Sequence, residues 1–154
     1  MNHNPYAEAL GENDVRAVLA RTPERLAEIV GELTSEQVEA APAPGKWSVR
    51  EVLAHLVDCD TAFGFRMRQV YGGEPNIQPF DQTAWGRAYG TYTAAQALET
   101  FRVLRAWNVA FVDNLTEADK ELVALHPEFG EMRLWTIAET MAGHDLHHLR
   151  LLEK

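Results

Sequence analysis

One cysteine, Cys59, stands in a chain of 154 residues, so no internal disulfide is available and a packed core has to hold the fold. Basic residues are few: 14 Lys and Arg face 23 Asp and Glu, for a formal net charge of -9. No basic stripe exists to neutralise phosphates, so nucleic acid is not an expected partner. An anionic membrane surface would repel the chain for the same reason. No apolar run approaches the roughly 20 residues that span a bilayer. The opening MNHNPYAEALGEND carries neither a basic n-region nor an apolar h-region, so no secretory signal is expected. The expectation is a cytoplasmic protein with one domain over residues 1–154.

What is present is helical periodicity. The first segment covers about Asn13 to Leu33, with Val15, Val18, Leu19, Leu26, Ile29, Val30 and Leu33 at helical spacing. Thr22-Pro23 interrupts it and predicts either one kinked helix or two abutting ones, with Thr22 as a cap. The second helix is announced by Ser48-Val-Arg-Glu51, a capping box, with Trp47 placed to staple against Val52. It should fade near Tyr71-Gly72-Gly73. The stretch Gly73 to Tyr92, with Pro75, Pro79, Gly86 and Gly90, is long for a connection in a compact domain. It is expected to be functional, or to hold a short helix around Asp81 to Ala88.

Thr93-Ala-Ala-Gln96 is a second capping box and opens a helix reaching about Asn114 through Leu98, Phe101, Leu104, Phe111 and Val112. Leu115 to Asp119 begins a short turn or helix, and Glu131 to Leu134 reads as briefly extended. The fourth helix runs from about Leu134 to Glu153, with a rival start at the Thr136-x-x-Glu139 capping box. Four long helices and almost no strand signal predict an all-α four-helix bundle.

The segment AGHDLHHLRLLEK places three of the six histidines within five positions. His144 and His148 are four residues apart, hence on one helix face, about 5–6 Å from each other at Cβ. They lie in the stripe Leu134, Ile137, Met141, His144, His148 and Leu151, which faces the other helices. Side-by-side imidazoles in a core have few partners, and a metal ion would satisfy both. His147 sits about 100° away from His148 and belongs to another face. A third ligand is needed, and His55, on the apolar side of the second helix, is the candidate. A hydrogen-bonded core histidine is the plainer alternative for His55. His126 and His3 fall in a loop and near the chain end and are poorer choices. Cys59 lies one turn after His55, as a potential ligand or a small buried hydrophobe. Asp58 and Asp145 are either groups that orient imidazoles or surface carboxylates.

Trp47-Ser-Val-Arg-Glu-Val-Leu-Ala-His55-Leu-Val-Asp58 followed by Gly143-His144-Asp-Leu-His-His148 resembles the DinB-like superfamily of small four-helix metalloproteins. Thr22-Pro-Glu-Arg-Leu, Ala43-Pro-Gly-Lys-Trp and His126-Pro-Glu-Phe-Gly extend the resemblance over nearly the whole chain. It implies an up-down-down-up bundle with a long crossover between the second and third helices. It also implies one divalent metal held by His55, His144 and His148. Zn²⁺ is the expected ion and Ni²⁺ the alternative. Members often carry Gln three residues after the last ligand, where this chain has Leu151, so a role that rests on that Gln is absent here.

Some members of that superfamily are S-transferases or isomerases that use bacillithiol or mycothiol. The resemblance therefore points to a metal-dependent transferase activating a low-molecular-weight thiol, or water, for a small-molecule substrate. The rival expectation is a non-catalytic, metal-stabilised, stress-related binding protein. The crossover around Phe80, Asp81, Trp85 and Tyr89 is expected to wall the substrate site, with Asp81 as a base or cofactor contact. A homodimer through a bundle face is a further expectation of the family.

Overall fold

The computed structural model describes residues 3–153. Helices α1 (Ala7–Leu10), α2 (Val15–Gly31), α3 (Ser35–Glu39), α4 (Val49–Tyr71) and α5 (Gln82–Gly86) come first. A 3₁₀ turn (Tyr89–Thr91), α6 (Ala94–Asp113) and α7 (Glu117–Lys120) follow. A hairpin of β1 (Val123–His126) and β2 (Gly130–Arg133) leads into α8 (Leu134–Leu152). The long helices α2, α4, α6 and α8 form a four-helix bundle. In it α2 and α4 each pack against both α6 and α8. Among the described residues no helix is long and apolar enough to cross a membrane.

The capping boxes predicted at Ser48 and Thr93 are present. Ser48 Oγ accepts from the Glu51 N–H while Glu51 reaches back to the Ser48 N–H, and Thr93 with Gln96 repeats the arrangement. α8 starts at Leu134, at the edge of its apolar stripe, and not at the Thr136 capping box. Its first amide donates to the Leu122 carbonyl at 2.7 Å, so the hairpin tethers this end of the helix.

The first segment is one continuous helix with Pro23 inside it. A proline there cannot donate to the carbonyl four residues back, which normally disrupts a helix. The orphaned Leu19 carbonyl is met instead by Arg105 Nη1 at 3.1 Å. Thr22 is not a cap, because its hydroxyl is turned inward to Asp145 Oδ2 at 2.8 Å.

The hairpin is a departure from an all-helical chain. β1 and β2 pair antiparallel, turning at Gly130 with φ 74°, and Asn76 of the long connection bridges to Leu125. The connection from α4 to α6 thus packs on the hairpin. It contains the expected short helix, shortened to Gln82–Gly86.

A polar layer crosses the bundle between two apolar clusters. On each long helix it lies between an apolar residue of one cluster and one of the other, as in Leu19, Thr22 and Leu26 on α2. Arg105 stands at its centre, 1% exposed, and bonds Asp60 on α4 and Asp145 on α8. Asn108 Nδ2 donates to Asp60 Oδ2 at 3.0 Å and closes the layer.

Candidate metal centre

His55 on α4 and His144 and His148 on α8 meet where these two helices pack together. His55 Nε2 lies 3.0 Å from His144 Nε2, which lies 3.1 Å from His148 Nε2. All three residues are buried, and their ligand atoms lie within 4.8 Å of one another. Three ring nitrogens aimed at one point are poor mutual hydrogen-bond partners, since a neutral imidazole offers a single N–H. They suit a cation: four-coordinate zinc with Zn–N near 2.0–2.1 Å sets its ligand nitrogens about 3.3 Å apart.

Burial pushes the His55 pKa down to about 4 and the His148 pKa to about 3. His144 is held well below the ordinary value, first by burial and then by the neighbouring His148 and His55. All three are therefore neutral near pH 7, the state a metal requires. The donor set, its convergence and its protonation suit a divalent cation.

His55 has a partner on its other ring nitrogen. His55 Nδ1 lies 3.4 Å from Tyr89 Oη, and the Asp58 carboxylate is close enough to the phenol to act on its charge. With Nε2 facing the other imidazoles, Nδ1–H donates to Tyr89 Oη. Burial raises the Tyr89 pKa, and the Asp58 charge raises it further, so the phenol keeps its proton. Trp47 packs on this pair, its ring 4.7 Å from His55 and 5.5 Å from Tyr89. It thus stacks on the ligand as well as preceding the cap. His148 Nδ1 is buried with no hydrogen-bond partner among the described residues.

Cys59 Sγ lies 3.5 Å from His55 Nε2 and 3.8 Å from His144 Nε2. Burial raises its pKa strongly, and nearby Asp60 adds to the effect. Tyr6 approaches His144 edge-on at 5.1 Å, which is possible because residue 143 is glycine. A Cβ there would sit 2.6 Å from the Tyr6 carbonyl oxygen.

A cavity of about 260 Å³ opens beside the cluster, with Cys59, Phe63 and His144 at one side and Arg66, Phe80 and His126 among its other walls. Of the crossover residues expected to wall a substrate site, Phe80 lines this cavity, beside Pro79 and Gln82, whereas Trp85 and Tyr89 do not. Asp81, between Phe80 and Gln82, is exposed. Its Oδ1 accepts from the Thr83 and Ala84 amides and caps α5, so the structure brings it to a helix end and not to the histidines. Asp145 belongs to the Arg105 layer, neither an imidazole partner nor a surface group. His147 is exposed, as its helix angle predicts, and Leu151 is 52% exposed, outside the buried stripe where the spacing had put it. His3 and His126 do not join the triad but line the cavity. Tyr89 as the partner of His55 had no motif to announce it, because that contact spans 34 residues.

A family model described as the DinB superfamily matches residues 19–152. A Bacillus licheniformis protein named "Putative metal-dependent hydrolase" is 30% identical over 138 residues, covering 85% of this chain and 77% of its own length. An Oceanobacillus iheyensis protein of the same description is 28% identical over 129 residues, covering 82% and 75%. The solved structure of YfiT from Bacillus subtilis superposes with a TM-score of 0.83 at 24% identity, over 90% of this chain and 82% of that one. It is described as "a probable metal-dependent hydrolase with an unusual four-helix bundle topology".

Proposed function

The chain belongs to the DinB superfamily, and from that premise we propose a metal-dependent transferase that delivers a low-molecular-weight thiol to a small electrophile. The observation that carries this reading is a three-nitrogen cluster placed beside a small, largely apolar cavity. Three protein ligands leave coordination positions for a reactant, the arrangement of catalytic rather than structural zinc. A divalent ion there, Zn²⁺ first and Ni²⁺ second, lowers the pKa of a thiol or water that binds it, supplying a nucleophile near neutral pH.

The chain's own residues do the rest. His55, His144 and His148 would hold the ion; Tyr89 fixes the ring of His55; Phe63 and Phe80 keep the cavity apolar. In the transfer a sulfur–carbon bond forms as the bond from carbon to its leaving group breaks, and the thiol proton passes to solvent. A thiol is favoured over water by the cavity wall. Hydrolytic zinc sites of the zincin type place a carboxylate base beside the water. Among the described residues lining this cavity, the carboxylate is Glu128, which is exposed.

The second reading, hydrolysis, is supported by the names that the relatives carry. A third is a non-catalytic protein whose metal ties α4 to α8. Cobalt-loaded protein separates the first from the third: the transferase changes its visible absorption on adding thiols and then transfers them to an electrophile in a single turnover. A spectrum indifferent to thiols and electrophiles, with chelation lowering only the melting temperature, supports the non-catalytic reading. His55→Ala should lose both stoichiometric metal and transfer; retention of both defeats the proposal.

A further inference from the structure

We propose that the cavity receives a small molecule bearing a carboxylate, bound by Arg66 and His126 at the end away from the histidine cluster. The proposal rests on the reading above only in setting the reacting atom at the histidines.

Arg66 is 8% exposed and lines the cavity, yet no carboxylate lies within ion-pair distance of it among the described residues. Its Nε and Nη2 both donate to the Gln78 carbonyl, which pins the crossover to α4. Nη1 has no protein acceptor among the described residues. Its plane lies between Phe63 and Phe80, at 5.9 and 5.4 Å from their ring centres. A guanidinium stays charged at any physiological pH, so burying one without a counter-charge is costly and favours an anion brought by a ligand.

His126 supplies a second donor. Its Nδ1 accepts from the Glu128 and Phe129 amides at 3.1 and 3.3 Å, so the ring proton resides on Nε2. The ring is buried, stacks on Phe129 at 4.4 Å and lines the same cavity. Glu128 is the opposing charge nearby: it is exposed, lines the cavity and helps to keep Arg66 protonated.

Spacing along α4 sets the length of the ligand. Arg66 is seven residues beyond Cys59, about 10 Å along the axis, and its side chain leans back toward the helix start. A thiol and a carboxylate separated by a short aliphatic chain would span that distance.

The test uses cobalt-loaded protein titrated with mercaptohexanoate and with its alcohol counterpart mercaptohexanol, read by absorption. The carboxylate should bind on the order of tenfold tighter, as expected of a charge-assisted contact. Arg66→Met should erase that preference, Arg66→Lys keep part of it, and Glu128→Gln widen it. Equal affinities in the native protein, or an undiminished preference in Arg66→Met, would overturn the proposal. If neither thiol alters the spectrum, the thiol reading fails by itself. The anion subsite is then judged by whether hexanoate, and not hexanol, raises the melting temperature of metal-free protein. No such rise, or an equal rise in the Arg66 variants, overturns it. Should Arg66→Met not fold, Arg66→Lys and Glu128→Gln decide the matter.

Discussion

At the scale of single residues, the protonation of the ligands gives a test that needs no activity. In the unfolded chain His55 and His148 titrate near 6.5, but burial holds them at about 4 and about 3 in the fold. Between those values the unfolded state binds more protons than the native one, so stability rises with pH. It is fully present above pH 6.5 and is lost as pH falls through the folded values. For His55 alone the loss on acidification is on the order of 3 kcal/mol. Urea midpoints of metal-free protein should therefore fall steeply from pH 6.5 to pH 4. His148→Gln should flatten that slope, and an unchanged slope would show that burial does not hold this imidazole neutral. The Tyr89 contact behind His55 makes a second prediction. Tyr89→Phe removes the acceptor for Nδ1–H and should weaken metal affinity by about 10–100-fold while leaving the helix content intact. Competition with a chromophoric chelator measures it.

These residues differ in how far the sequence discloses them. His144 and His148 share a helix face by spacing alone, and His55 falls on the inward side of a well-capped helix, so the triad is readable from periodicity joined to the family motif. Tyr89 is not, because it reaches His55 from a 3₁₀ turn whose position depends on how the crossover folds back. Asp145 reads as a neighbour of His144 and is instead committed to Arg105.

At the scale of elements, capping chemistry is the most legible layer. Ser48 with Glu51 and Thr93 with Gln96 satisfy helix-end amides locally, so four residues suffice to place each start. The continuity of α2 through Pro23 is not local, because it depends on Arg105 from another helix meeting the Leu19 carbonyl. Of the hairpin, the extended stretch from Glu131 is legible in the sequence, while β1 and the pairing escape for a related reason. Its strands are four residues each, and only β1 alternates in exposure, one side covered by the long connection and the bundle. Gly143 is an element-scale constraint with a direct test. A Cβ at that position collides with backbone, the Tyr6 carbonyl, which cannot rotate away as a side-chain tip can. Gly143→Ala should force the segment before α1 off α8 at a cost of about 1–3 kcal/mol in chemical denaturation. Metal stoichiometry should stay near native, since His144 keeps its place on α8. Loss of metal together with little loss of stability would contradict this account.

At the scale of the whole molecule, the Arg105 layer joins all four long helices. Asp60 and Asp145 are ligated by one guanidinium, Thr22 donates to Asp145, and the Leu19 carbonyl completes the shell. Desolvation alone would lower the pKa of Arg105, but Asp145 and Asp60 more than offset it, so the cation persists in the core. The trace of this layer in the sequence is an interruption: Arg105 and Asn108 occupy the helical stripe between Phe101 and Val112, where apolar residues would be expected. Replacing Arg105 by Met keeps the approximate volume and strands two carboxylates, so the expected cost is about 3–5 kcal/mol. The sign of its pH dependence distinguishes this from ordinary repacking. Buried carboxylates without a cation have raised pKa values, so the native state of Arg105→Met takes up protons more readily than its unfolded chain. The variant should be least stable at pH 7–8 and regain stability toward pH 5, opposite to the trend that the histidines impose on the native protein. Adding Asp60→Leu and Asp145→Leu should restore much of the loss and abolish the recovery at low pH. Parallel pH profiles for Arg105→Met and the native protein would mean that the layer is not the electrostatic centre of the bundle.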